Sequence, residues 1–289
     1  MKAGFVSIFG RPNAGKSTLL NALMGEKLAI VSPKVQTTRH RIKGIITEPG
    51  YQIIFSDTPG IIEPRYKLHE KMMSAVKTAV DDADVALLLV GADENPEEAD
   101  AIFSSLRLGV PSLLLINKID RLSADRLQEL RDFFGQKKYV KEIVPISALN
   151  RTGLEALLAA IVGLLPEGEP FFEDDDLSDL PTKFFVSEMI REKIFHLFKD
   201  EIPYHTTVLV NEFKEKTSLV KIRADIIVQR ETQKGILLGE GGKMIRRLGT
   251  EARKDIEAFL QQKIFLELFV KVRPKWRDND NMLKEYGYH

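Results

Sequence analysis

The run Gly10-Arg11-Pro12-Asn13-Ala14-Gly15-Lys16-Ser17 constrains this chain more than any other feature. Its spacing is G-x-x-x-x-G-K-S, and it stands between an apolar run at 4–9 and a helix-like stretch at 16–24. A glycine-rich loop that leaves a strand and opens a helix wraps with its backbone N–H groups turned inward. Those dipoles and the helix N-terminus make a cradle for phosphate groups. In such a cradle Lys16 places a point charge near the β- and γ-phosphates, and the Ser17 hydroxyl faces Mg²⁺. The eight residues by themselves leave many nucleotide-binding classes open.

The rest of the first 165 residues repeats this strand–helix rhythm. Apolar runs at 51–56, 85–91, 112–117 and 142–146 alternate with helix-like stretches at 68–80, 96–106, 124–134 and 153–164. The rhythm predicts an α/β domain over 1–166, a mostly parallel sheet with helices on both faces. The runs 41–47 and 51–56 are joined only by Glu48-Pro49-Gly50, too short for a helical crossover, so they predict one antiparallel hairpin in the sheet. Residues 167–179 hold seven acids and no base, which predicts a solvated acidic linker over 167–182. Over 183–289 the order changes. A helical run at 187–199, β-rich runs at 206–213 and 219–228, a glycine-rich turn at 239–242, a helix at 243–261 and a strand at 264–272 predict a smaller α+β domain.

Composition excludes several chemistries. There is no cysteine, so disulfides, thiolate zinc sites and cysteine nucleophiles are out, and the five histidines show no metal-site spacing. No apolar run approaches the roughly 18 residues of a membrane span. A cytoplasmic monomer is the expectation. Lys+Arg and Asp+Glu both number 42, yet residues 206–277 hold nine Lys and seven Arg against nine acids. The neutral total hides a basic second domain, which suggests a polyanionic partner.

Two further loops follow predicted strands. Asp57-Thr58-Pro59-Gly60 puts a carboxylate where a Mg²⁺-linked group belongs, and the Gly60 N–H can approach a γ-phosphate. Asn117-Lys118-Ile119-Asp120 ends the fourth parallel run. Guanine offers paired N–H donors that adenine lacks, so a carboxylate at Asp120 selects guanine, by a factor of roughly 10⁴ or more. Lys118 can lay its stem over the base, Asn117 can tie this loop to the phosphate loop, and the Ala148 N–H, in Ile146-Ser147-Ala148, can meet the base O6. Taken in order at strand ends, these motifs resemble the GTPases of the P-loop superclass. The resemblance implies GTP or GDP with Mg²⁺ as ligands, and Thr18 and Ser147 as further nucleotide contacts. It also implies a first-switch threonine on Mg²⁺ beside Ser17 and Asp57. In Gln36-Thr37-Thr38-Arg39-His40 it favours Thr38, with Thr37 left open.

The run Leu237-Leu238-Gly239-Glu240-Gly241-Gly242-Lys243 resembles the G-x-x-G loop of KH domains. In that family the loop clamps single-stranded nucleic acid, because glycine lets the sugar–phosphate chain approach the main chain and a helix N-terminus. Glu240 leaves the loop without a basic side chain, so phosphate attraction falls to backbone N–H groups and to Lys243, Arg246 and Arg247. Strands before the loop and one after it resemble the type II KH arrangement. Trp276 can stack on a base or pack within this domain. The two domains together resemble the bacterial ribosome-assembly GTPases with a C-terminal type II KH domain. That resemblance implies binding to the 3′ end of small-subunit ribosomal RNA in the assembling small subunit. It also implies peripheral contact with the inner face of the cytoplasmic membrane. The competing reading is a GTPase signalling switch whose C-terminal domain binds a protein or a membrane.

Catalysis is expected to rest on Lys16, Thr38, Gly60 and Asn13. The glutamine that orients water in Ras-type enzymes is replaced by Ile61, which predicts slow intrinsic hydrolysis. In related GTPases an asparagine at the place of Asn13 helps bind K⁺; a loop-shaping asparagine is the alternative.

Overall fold

Continuous apolar strands need cover on both faces, and the first half of the chain supplies it. In this computed structural model, which describes residues 1–215 and 219–289, the elements of that half run as follows. They are β1 (Lys2–Gly10), α1 (Lys16–Met24), β2 (Ile42–Glu48), β3 (Tyr51–Asp57), α2 (Lys67–Asp82), β4 (Val85–Gly91), α3 (Pro96–Ser105), β5 (Ser112–Asn117), α4 (Ala124–Gly135), β6 (Glu142–Pro145) and α5 (Leu154–Leu164). The sheet order is β2-β3-β1-β4-β5-β6. Every residue of β4 and β5 is buried, as central parallel strands require. Only β2 runs antiparallel, with Glu48 opposite Tyr51 across the short turn. The parallel register puts Ile8 opposite Asp57 and Gly91 opposite Asn117. The C-terminal ends of β1, β3 and β5 therefore reach one edge of the sheet, where ligands bind in open α/β folds.

The chain divides into two units, Met1–Pro64 with Met72–Asp179, and Arg65–Lys71 with Leu180–His289. The acidic stretch expected as a solvated linker is instead strapped along the first unit. The Ile45 N–H donates to the Leu177 carbonyl at 3.0 Å. Ser178 Oγ donates to the Lys43 carbonyl at 2.6 Å, and Lys43 Nζ meets Asp179 at 2.7 Å. Gln52, buried in β3, accepts the N–H groups of Phe171 and Phe172 at 2.7 and 3.1 Å and donates to the Phe172 carbonyl at 2.9 Å.

The second unit holds α6 (Thr182–Leu197), β7 (Thr207–Glu215), β8 (Val220–Val228), α7 (Glu231–Leu238), α8 (Lys243–Leu260), β9 (Ile264–Val272) and α9 (Asp280–Glu285). Its sheet order is β7-β8-β9, the first pair antiparallel and the second parallel. Ile190, Ile222, Ile226, Leu248, Ala252 and Ile256 join helices and sheet in one core. Trp276 is fully buried and donates from Nε1 to the His205 carbonyl at 3.0 Å, so it packs within this unit. Arg65–Lys71 are held here too. Lys67 pairs with Asp280, and the Arg277 guanidinium stands 4.2 Å over the Tyr66 ring.

Candidate nucleotide site and nucleic-acid interface

A cleft of about 460 Å³ opens at the strand ends, lined by Asn13, Thr18, Thr38, Asp120, Ser147 and Ala148 among others. The phosphate loop leaves β1 at Gly10 and turns with Asn13 and Gly15 at φ 65° and 105°. Gly15 is fixed by space as well as by angle, since an added Cβ would lie 2.3 Å from Asn117 Nδ2. That amide donates to the Ala14 carbonyl at 2.9 Å, so Asn117 does tie the base loop to the phosphate loop. Lys16 is buried, and its ammonium donates to the Gly10 and Arg11 carbonyls at 3.0 and 2.8 Å. Burial holds its pKa below the ordinary lysine value, against the pull of Asp57 and Glu94.

Three oxygen donors converge beside Lys16. Ser17 Oγ donates to Asp57 Oδ2 at 2.6 Å and lies 2.7 Å from Thr38 Oγ1, which is 3.5 Å from the same carboxylate oxygen. Thr37 is turned away, its hydroxyl donating to the Lys34 carbonyl at 2.6 Å. The adjacent threonines are thereby separated, and Thr38 is the one in the cluster. Desolvation pushes the Asp57 carboxyl up to about 6, offset by Lys16, Ser17 and Thr38. Its Oδ1 is buried without a hydrogen-bond partner among the described residues. Two hydroxyls and a carboxylate with a spare buried oxygen fit Mg²⁺, which takes few carboxylates and completes its shell with phosphate and water.

The second switch leaves the end of β3 and is tied to β1, where Thr58 Oγ1 donates to the Ile8 carbonyl at 2.7 Å. Gly60 packs on Pro12 so closely that a Cβ would lie 2.8 Å from the proline nitrogen. Ile61 packs against the first unit's core around Phe9 and Val76. Its side chain can neither donate nor accept a hydrogen bond. Asn13 Nδ2 donates to the Pro33 carbonyl at 3.0 Å, which joins the phosphate loop to the first switch.

At the base end Ser147 Oγ donates to Asp120 Oδ1 at 2.5 Å and holds that carboxylate in place. Lys118 takes a left-handed φ of 65° just before it. The Ala148 N–H, expected to face the base O6, donates to Asn117 Oδ1 at 3.0 Å, so a base there must share that donor. Ser147 left no signal at the sequence level beyond its place before Ala148.

In the second unit α7 and α8 meet at the glycine-rich loop. Gly239, Gly241 and Gly242 all have positive φ, and a Cβ on Gly239 would lie 2.6 Å from Met244 Cγ. One expectation needs correction here. Arg246 folds back onto the loop, donating to the Gly241 carbonyl and to the Gly242 carbonyl at 3.3 Å. It braces loop carbonyls rather than standing free for phosphate. Arg247 lies 2.9 Å from Glu251. Lys243, at the start of α8, and Glu240 are both exposed and 4.0 Å apart, a separation at which solvent screens the pair.

Residues 5–118 match the family described as 50S ribosome-binding GTPase, and residues 201–277 match the KH domain family. The chain is similar to GTPase Era of Geotalea uraniireducens strain Rf4, 48% identical over 290 residues that span 99% of this chain and 98% of that protein. GTPase Era of Ruminiclostridium cellulolyticum is 43% identical over 99% of this chain and 97% of its own. Among solved structures, Era in complex with MgGDPNP and nucleotides 1506–1542 of 16S ribosomal RNA matches with a TM-score of 0.95 and 39% identity, covering 100% of this chain and 99% of that one. An Aquifex aeolicus Era variant bound to GDP and AlF4⁻ matches equally, at 0.95 and 39%.

Proposed function

The chain belongs to the Era family of GTPases, and on that footing we propose that it is a GTP-operated switch that binds the 3′ end of small-subunit ribosomal RNA and assists small-subunit assembly. The observation that carries this is the full-length likeness, TM-score 0.95, to an Era structure holding both a GTP analogue with Mg²⁺ and that RNA.

In the reaction a water oxygen bonds to the γ-phosphorus, the bond to the β–γ bridging oxygen breaks, and GDP leaves. Lys16 offsets charge that builds on the bridging oxygen. Ser17, Thr38 and Asp57 hold Mg²⁺, which neutralises charge on the β- and γ-phosphate oxygens. Asp120, fixed by Ser147, selects guanine. Ile61 contributes no polar group, so intrinsic hydrolysis is slow. Asn13 and the Pro33 carbonyl it holds supply oxygens of the kind K⁺ takes. Replacing Na⁺ by K⁺ should raise the hydrolysis rate, and an unchanged rate removes this part of the proposal. We place the protein in the cytoplasm with peripheral contact at the inner membrane face. Among the described residues no helix is long and apolar enough to cross a membrane.

The test is binding of a short single-stranded RNA from that 3′ end, with GDP against a non-hydrolysable GTP analogue. The loop variant should be Gly241→Asp, since a Cβ at Gly241 meets nothing within 4 Å whereas one at Gly239 strikes Met244. Aspartate tolerates the left-handed φ of 58° and adds a charge that repels phosphate. Tighter binding with the analogue, weakened about tenfold or more in the variant, is expected. Absence of binding in both nucleotide states would move the second unit to a protein or membrane partner.

A further inference from the structure

Glu94 is a half-buried acid beside the phosphate loop that the chemistry above leaves without a role. It stands in the connection between β4 and α3. Its backbone is pinned twice, by its N–H to the Gly91 carbonyl at 3.1 Å and by its carbonyl to Arg126 Nη2 at 3.3 Å. The side chain turns under the phosphate loop. Its Oε1 lies 3.1 Å from the point a Cβ on Gly91 would occupy, a point also 3.5 Å from Lys118 Nζ and 3.7 Å from Ala14 Cα. The carboxylate, the base-site lysine and the phosphate loop therefore meet around one glycine.

The cations nearby are committed elsewhere. Arg11 pairs with Glu98, and Lys16 donates to two loop carbonyls. Among the described residues no ion pair joins Glu94 to Lys118, and Glu94 Oε2 is buried without a hydrogen-bond partner. Burial pushes its carboxyl above the usual range, against the pull of the Gly91 backbone and of Arg11, Lys16 and Lys118. A carboxylate that leaves one oxygen buried and unpaired beside an anion site is unfavourable, which calls for a use of the charge itself.

We propose that Glu94 is a positioning residue that weakens nucleotide binding and speeds release. Its charge draws Lys16 and Lys118 toward the underside of the loop when the cleft is free of nucleotide, and repels the phosphates of a bound one. Both effects favour the nucleotide-free protein, so both reverse when the charge is removed. The inference rests on the guanine-nucleotide reading of this cleft and deepens it.

The experiment follows release of a fluorescent N-methylanthraniloyl GDP from the full-length protein. Glu94→Gln, which keeps shape and removes charge, should slow release and lower the dissociation constant by about three- to tenfold. Glu94→Asp keeps the charge and should release at nearly the wild-type rate, whereas a packing role would move both variants in the same sense. Should Glu94→Gln fail to fold, Glu94→Ala carries the same expectation. Unchanged or faster release in the uncharged variants overturns the inference. Failure of the wild-type protein to bind the probe would instead overturn the nucleotide reading.

Discussion

Asp57 shows how one residue serves ligand binding at the expense of the free protein. Burial pushes its carboxyl up to about 6. The unfolded chain titrates near the ordinary aspartate value of about 3.9. Between those two values the folded state holds the proton more tightly, so stability falls as pH rises through the window and the loss is complete above about 6. Asp57→Asn should therefore raise the melting temperature of metal-free protein at pH 8, by the equivalent of about 2–3 kcal/mol, and leave it nearly unchanged at pH 4. The same variant should lose Mg²⁺-dependent nucleotide affinity by about tenfold or more. Thermal melts in chelator at the two pH values check the first part, and an equal change at both would refute it. The place of Asp57 at a strand end was legible in the sequence because a carboxylate stood after an apolar run and before a Thr-Pro-Gly turn. The choice between Thr37 and Thr38 was not legible. Two identical side chains carry no pattern, and only the turn that sends Thr37 to the Lys34 carbonyl separates them.

At the scale of elements, periodicity served the strands well and composition misled about the strap. β4 and β5 stand where the apolar runs put them, and the three-residue connection gives the antiparallel β2–β3 pair. Helix α6 begins at Thr182, ahead of the expected 187, because the chain turns into it directly after Pro181. The acidic run at 167–179 was expected to be solvated because charge density is high there. Its backbone groups nonetheless find partners along β2 and on Gln52. The usable signals were a glutamine inside the apolar β3 run and the Phe171-Phe172 pair inside the acidic one. Gln52→Ala would remove the three hydrogen bonds by which this buried side chain holds the strap. It should destabilise the first unit by about 2–4 kcal/mol. Amide exchange at Phe171 and Phe172 should rise with the loss of their acceptor. A stability change below about 0.5 kcal/mol, with unchanged exchange, would mean the strap is held by Phe171 against Phe5 instead.

For the whole molecule, neutrality conceals a division of labour, with acids concentrated in the strap and a surplus of bases in the second unit. Binding of RNA there should weaken steeply with salt. Linkage then binds the two ligands together: if the GTP-bound form holds RNA more tightly by some factor, RNA must raise GTP affinity by that factor. The covalent path for such coupling is short. Five residues after Gly60 the chain enters Arg65–Lys71, which belong to the second unit. There Tyr66 lies under Arg277, and Lys67 pairs with Asp280. The Lys67–Asp280 pair is half exposed and adds little stability alone, whereas the ring under the guanidinium is a directional contact worth about 0.5–1 kcal/mol or more. Tyr66→Ala should therefore leave nucleotide affinity without RNA within about twofold, while the ratio of RNA affinities in the two nucleotide states falls toward one. Isothermal titration around the full cycle measures all four affinities. If the ratio survives the substitution, the switch signals the second unit by some route other than the segment that follows Gly60; if it collapses with both single-ligand affinities intact, Tyr66 carries the coupling and neither binding site.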